Sequence, residues 1–169
     1  MTEERTGVKR AAVIFVGNEL MRDDGIGIHA YRMFTERYGT PEGVDVREVG
    51  CMSLDMIPLV DACDLIITVD AVEGTGKPAG TVFRFSPEDM ARHSGAMASL
   101  HDLKLVDLFD AAALLGYSCE GVCFGMQVAD KDPEEYDMAL TEPCEAALPL
   151  LVESVEAELA RHGVLLTRR

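Results

Sequence analysis

Apolar residues along this chain fall into short unbroken runs, separated by stretches where they recur at helical spacing. Ala11-Ala12-Val13-Ile14-Phe15-Val16 is continuous and closes at Gly17-Asn18, which reads as a strand buried on both faces. After a polar loop, Ile26, Ala30, Met33 and Phe34 recur every three or four positions, and Gly39 and Pro41 end the predicted helix. Val44, Val46 and Val49 are the apolar members of a second strand over 44–49. Leu54, Ile57, Leu59 and Val60 predict a short helix interrupted by Pro58. Leu65-Ile66-Ile67-Thr68-Val69 is the clearest strand, β-branched and apolar, ending at Asp70. Residues 73–80 hold three glycines and a proline and form a loop. Thr81–Phe85 then alternates as a half-buried strand at the sheet edge.

The 86–97 stretch is less regular. Ser99-Leu100-His101-Asp102 has the S-x-x-D form of a capping box before an apolar helix through Leu115. Gly121–Val128 is the last strand, and 141–162 is the closing helix, with Ala147, Leu151, Val155 and Leu159 on one face. Pro149 inside that helix predicts a kink or an early break. Strands alternating with helices give an α/β fold. The expected architecture is a three-layer α/β/α sandwich with a five-stranded, mostly parallel sheet and one antiparallel edge strand. Residues 1–10 are polar and expected to fray; 11–169 form a single domain without internal repeat or linker.

Composition narrows the function. With 48% hydrophobic residues, the 169-residue chain can bury a core without disulfides. Thirty acidic against fifteen basic residues give a formal charge of −15. That argues against general nucleic-acid binding, which needs a Lys/Arg-rich surface, and suits a cation site or a basic partner. The cysteines (Cys51, Cys63, Cys119, Cys123 and Cys144) are odd in number and lack CxxC spacing. They read as reduced, mostly buried thiols of a cytosolic protein. No signal-peptide pattern is present, and no run approaches the ~18 apolar residues that span a bilayer.

In open α/β sheets, sites form outside the carboxyl ends of the strands. Three features fall there. The loop after the first strand carries the acid pair Asp23-Asp24, Asp70 ends the third strand, and His101 lies in the first turn of a later helix. Two carboxylates and an imidazole make a mixed oxygen and nitrogen set suited to zinc or nickel, with positions left open for substrate. Each residue also has a plainer role open to it. Either acid of the pair can cap a helix, Asp70 can form a turn, and His101 can be a polar residue at a helix start. Glu19 is a further possible ligand in the same loop. The residues alone give a possible metal site but no reaction.

The segment GNELMRDDGIG, residues 17–27, resembles the G-N-x-L-x-x-D-[DE]-x-x-G signature of hydrogenase maturation endopeptidases. Asp70-Ala71 after an apolar strand looks like that family's second motif. Ser99-Leu100-His101 with Asp107-Leu108 is similar to its S-x-H-x-x-x-x-x-D motif. The resemblance implies that the metal-binding and catalytic residues are Asp24, Asp70 and His101. Glu19 ranks below them, because the signature leaves its position free. It also implies a cytoplasmic, monomeric endopeptidase with no tightly bound metal of its own. Nickel arrives on the substrate, a nickel-loaded hydrogenase large-subunit precursor whose C-terminal peptide is removed, and Cd²⁺ or Zn²⁺ could occupy the site in vitro. A bound metal could polarise the carbonyl or activate water. One departure concerns Glu48-Val49-Gly50-Cys51, which stands where related enzymes often read D-G-G-[TS]. Two alternatives remain: a non-catalytic binding relative, and a receiver-like signalling module built on Asp23-Asp24 and Asp70.

Overall fold

The computed structural model describes the backbone of residues 10–92 and 100–169 and the side chains of 10–89 and 106–169. Apart from Arg10, the N-terminal stretch expected to fray lies outside these residues. So do Ser99 of the expected capping box and the side chain of His101.

Five strands form one sheet: β1 (Ala11–Val16), β2 (Val44–Val49), β3 (Leu65–Val72), β4 (Val82–Phe85) and β5 (Glu120–Gln127), in the order β2-β1-β3-β5-β4. β1 pairs in parallel with β2 and β3, and β3 with β5. β4 alone is antiparallel, capping the edge at β5, as the mostly parallel sheet with one antiparallel edge strand required. Helices α1 (Ile26–Tyr38) and α5 (Glu142–Arg161) cover one face, and α2 (Ile57–Ala62) and α4 (Leu100–Leu114) cover the other.

Side chains of β1 alternate between the two faces. Ala11, Val13 and Phe15 join Phe34, Leu151 and Leu159 in one core. Ala12, Ile14 and Val16 join Val60, Leu108 and Ala112 in the other. Every residue of β1 and β3 is buried, which is why both read as continuous apolar runs. None of the five cysteines is in a disulfide; Cys63, Cys123 and Cys144 are buried and only Cys51 is exposed. Among the described residues, no helix is long and apolar enough to cross a membrane.

Several boundaries differ from the sequence reading. β3 does not end at Asp70 but continues to Val72, paired with Gln127 of β5. The buried Asp70 carboxylate accepts the Ala71 amide at 2.8 Å, so an acid is accommodated inside the strand. Pro58 does not interrupt a helix. It lies in the first turn of α2, behind a 3₁₀ turn at Leu54–Met56, where a missing N–H leaves nothing unpaired. Pro149 does not break α5, which runs on to Arg161 while Leu148, Leu151 and Val152 stay buried on either side of the ring. The irregular stretch contains a short helix, α3 (Pro87–Arg92), started by a reciprocal cap. The Ser86 hydroxyl accepts the Asp89 amide and the Asp89 carboxylate accepts the Ser86 amide, both at 3.1 Å.

Candidate active site

β1 delivers the chain to the carboxyl edge of the sheet at Val16, and Gly17 donates its amide to Val49 at the end of β2 (3.1 Å). Asn18 then closes a tight loop. Its amide donates to the Asp24 carbonyl, its own carbonyl accepts the Met21 amide, and its side-chain oxygen accepts the Leu20 amide, each at 3.1 Å. Two glycines of the signature answer to contact. A Cβ on Gly17 would lie 2.2 Å from the Asp24 carbonyl oxygen, and one on Gly27 would lie 2.0 Å from the Val16 carbonyl oxygen. The first turn of α1 therefore rests directly on the end of β1.

The acid pair sits in a 3₁₀ turn, Arg22–Gly25. Arg22 has φ 51°, the left-handed region that costs a non-glycine residue of order 1–3 kcal/mol. Its guanidinium reaches the segment after β5, 3.0 Å from Asp130 and 3.7 Å from Asp137. Asp23 is fully buried. Its carboxylate accepts the amides of Ala129 (3.0 Å), Asp130 (3.0 Å) and Thr141 (2.8 Å) and the Thr141 hydroxyl (2.8 Å). Burial pushes its pKa up, but the bonds from Thr141, Asp130 and Ala129 outweigh that and hold the carboxyl below the ordinary range. Of the two acids, then, Asp23 is turned to structure, and Asp24 beside it is partly exposed.

The turn carrying Asp24 packs against β3. Register places Asp70 one step beyond the Phe15–Val69 pair, level with the end of β1. Asp70 shares its sheet face with Ile66, the face covered by α2 and α4. Thr68 lies on that same face, its hydroxyl buried and without a hydrogen-bond partner among the described residues. The chain leaves β1 for β2 on one side and continues through β3 on the other, so the turn with Asp24 and the strand with Asp70 flank the topological switch point. His101 is the second residue of α4, seven residues or two helical turns before the buried Leu108. Its side chain lies outside the described residues.

Glu19 pairs with Arg32 at 2.5 Å. Glu19 and Glu48 rim a cavity of about 500 Å³ that is lined on one side by Gly17–Leu20 and on the other by the end of β2 and Gly50. The departing loop after β2 is therefore the opposite wall of the cavity beside the acid turn.

Among the described residues, one set of three candidate ligands brings its atoms within 4.8 Å of one another: Glu120, Glu158 and His162. Glu120 opens β5, so this set lies at the opposite edge of the sheet. Glu158 is fully buried, takes both arms of Arg84 at 2.9 Å and also bonds Arg161. The Arg84 bond is the main reason its carboxyl stays below the usual range. His162 is raised, chiefly by its bond to the Glu158 carbonyl and further by Glu120 at 3.0 Å. Two guanidiniums already answer the buried carboxylate, which makes this a charge network and not a cation site. Sequence patterns did not reveal this network or the latch around Asp23, because their partners lie 74 and up to 118 residues apart.

The hydrogenase maturation protease family (HycI) matches residues 28–158. This chain belongs to that family. The family match spans Asp70 and His101 and begins just past Gly27, and longer pairwise matches reach back across the acid loop. Hydrogenase expression/formation protein HupM of Azotobacter chroococcum is 32% identical over 159 residues, covering 93% of this chain and 75% of its relative. Hydrogenase 2 maturation protease of Escherichia coli K12 is 26% identical, covering 92% and 93%. Among solved structures, the hydrogenase maturating endopeptidase HybD from E. coli superposes with a TM-score of 0.84 at 25% identity, covering 95% and 98% of the two chains. The [NiFe] hydrogenase maturation protease HybD from Thermococcus kodakarensis gives 0.72 at 25%, covering 88% and 98%. The protease fold and activity class are thus shared, and the receiver-like alternative is set aside.

Proposed function

We propose that this protease recognises nickel already bound in a hydrogenase large-subunit precursor and hydrolyses a peptide bond near it, releasing the precursor's C-terminal peptide. The observation that carries this reading is the placement of Asp24 and Asp70 on the two elements that flank the β1–β3 switch point, with His101 opening a helix on Asp70's side of the sheet. Two carboxylates and an imidazole offer hard and borderline donors to a divalent cation and leave coordination positions for the substrate's own ligands. Nickel enters as part of the substrate, and these residues hold it. Cd²⁺ or Zn²⁺ is expected to bind in its place in vitro, and the protein works as a monomer in the cytoplasm. The cavity rimmed by Glu19 and Glu48 adjoins the turn of Asp24 and offers a place for chain flanking the nickel, favouring a basic stretch.

The test is a mass measurement. Nickel-loaded precursor incubated with the protease should lose one C-terminal peptide, and Asp24→Asn, Asp70→Asn and His101→Ala should each leave it intact. Metal-free precursor should remain uncut. Efficient trimming of metal-free precursor in strong chelator would overturn the reading.

A further inference from the structure

The acid loop is held to a distant part of the chain by more bonds than its own closure needs. Beyond the carboxylate of Asp23 with its four donors, the Asp23 amide donates to the Asp130 carbonyl at 3.0 Å. The Arg22 amide donates to the Asp137 carbonyl at 2.7 Å, the Asp137 amide donates to the Leu20 carbonyl at 3.0 Å, and Met21 and Asp137 form a parallel bridge. The Arg22 guanidinium adds its two acidic contacts on the same segment. All of these converge on 129–141, the connection from β5 into α5.

We propose that Arg22 and Asp23 are positioning residues for Asp24, latching the acid loop to the 129–141 segment so that Asp24 is presented at one fixed place beside β3. The inference rests on the reading that Asp24 is a ligand for the substrate's nickel. The left-handed Arg22 sets the chain direction into the turn, and Asp23 is drawn fully inward by its donors. The next residue is then fixed through its own backbone. The Asp24 amide donates to Met21 and its carbonyl accepts from Asn18, both at 3.1 Å. A carboxylate is required at 23 because all four of its partners are donors, and a side chain with an amide group would turn an N–H against one of them. Two adjacent acids thus divide the work, one holding the loop and the other left at the site.

The test uses variants that spare both acids. Arg22→Gly accepts the left-handed backbone without strain and removes only the guanidinium tether, while Thr141→Val removes one donor to Asp23. Both are compared with Asp24→Asn and wild type by calorimetric titration of the isolated protein with Ni²⁺, and by kcat and KM for trimming nickel-loaded precursor. Outer partners of metal ligands typically contribute about 10–100-fold to affinity or activity. Arg22→Gly should therefore weaken Ni²⁺ binding about tenfold and lower kcat more than it raises KM, with its melting temperature near that of wild type. Arg22→Lys, which keeps a donor within reach of Asp130, should recover part of the loss. If Asp24→Asn loses Ni²⁺ binding while Arg22→Gly and Thr141→Val match wild type in affinity and kcat, the positioning inference is overturned and the site reading stands. If Asp24→Asn itself binds and cuts as wild type, the site reading fails and the inference falls with it.

Discussion

Arg84 of the edge strand and Glu158 of α5 offer the sharpest stability prediction, because the two partners are buried so unequally. Glu158 is fully buried, while the Arg84 side chain is 43% exposed and that of Arg161 61% exposed. Replacing Arg84 by Met keeps the aliphatic stem and removes two charge-assisted bonds at 2.9 Å from a carboxylate that cannot reach water. Stripping a buried ion of its partner costs ~3–5 kcal/mol. Arg161 and His162 remain, so Arg84→Met should cost ~2–3 kcal/mol. For a chain of this length that is a melting temperature lowered by about 5–10 °C. Glu158→Met should cost less, about 1 kcal/mol, because the arginines left behind can turn to solvent and an apolar side chain suits the site. The double variant should cost less than the sum of the two, since the orphaned carboxylate is the main penalty. Urea denaturation followed by circular dichroism at neutral pH measures all three. The reasoning also fixes a pH dependence. Glu158 titrates below its ordinary value, so its contribution is fully present above about pH 4.3 and is lost as pH falls through the lower folded value. Equal costs for the two single variants, or an Arg84→Met cost under 1 kcal/mol, would refute it.

Two other outcomes follow from the same structure. Gly27→Ala places a methyl 2.0 Å from the Val16 carbonyl oxygen, where backbone must move; it should destabilise by at least ~1–3 kcal/mol in thermal melts and impair trimming. His162 has a raised pKa, so its contact with Glu120 and Glu158 stabilises fully below about pH 6.5 and fades as pH rises through the higher folded value. Relative to His162→Gln, wild-type stability should therefore be greatest at acidic-to-neutral pH and converge on the variant in alkali.

What the sequence discloses here is what repeats locally. β1 and β2 are bounded to the residue, because an unbroken apolar run and a valine series both stop at glycine-bearing turns. The signature loop is legible because its glycines meet hard contacts that admit no side chain. The extent of β3 was not legible: the aspartate inside this buried strand bonds its own neighbour's amide, and β5 pairs with the strand past it. The opposite fates of Asp23 and Asp24 were equally hidden. Adjacent and alike in chemistry, they are separated by donors from Ala129, Asp130 and Thr141, residues no local pattern connects to them. The cap at Ser86 and Asp89 shows the converse, a short-range motif of the same S-x-x-D form as the one expected at Ser99, which lies outside the described residues.

The sheet's two rims carry another consequence. One is closed by β4, only four residues long and tied to α5 through Arg84. The other, β2, has six residues and, among the described residues, pairs on one side only. Along it stand Asp45, Arg47 and Glu48, with Arg47 folded back on Asp45 at 2.6 Å. Charge on an open strand keeps another chain from adding itself to the row of unpaired amides and carbonyls. Replacing those residues with valine or isoleucine would raise β propensity and strip that guard together. The chain would then be expected to assemble edge to edge, forming fibrous or insoluble material, while the strand pairing and the two cores within each chain stayed intact.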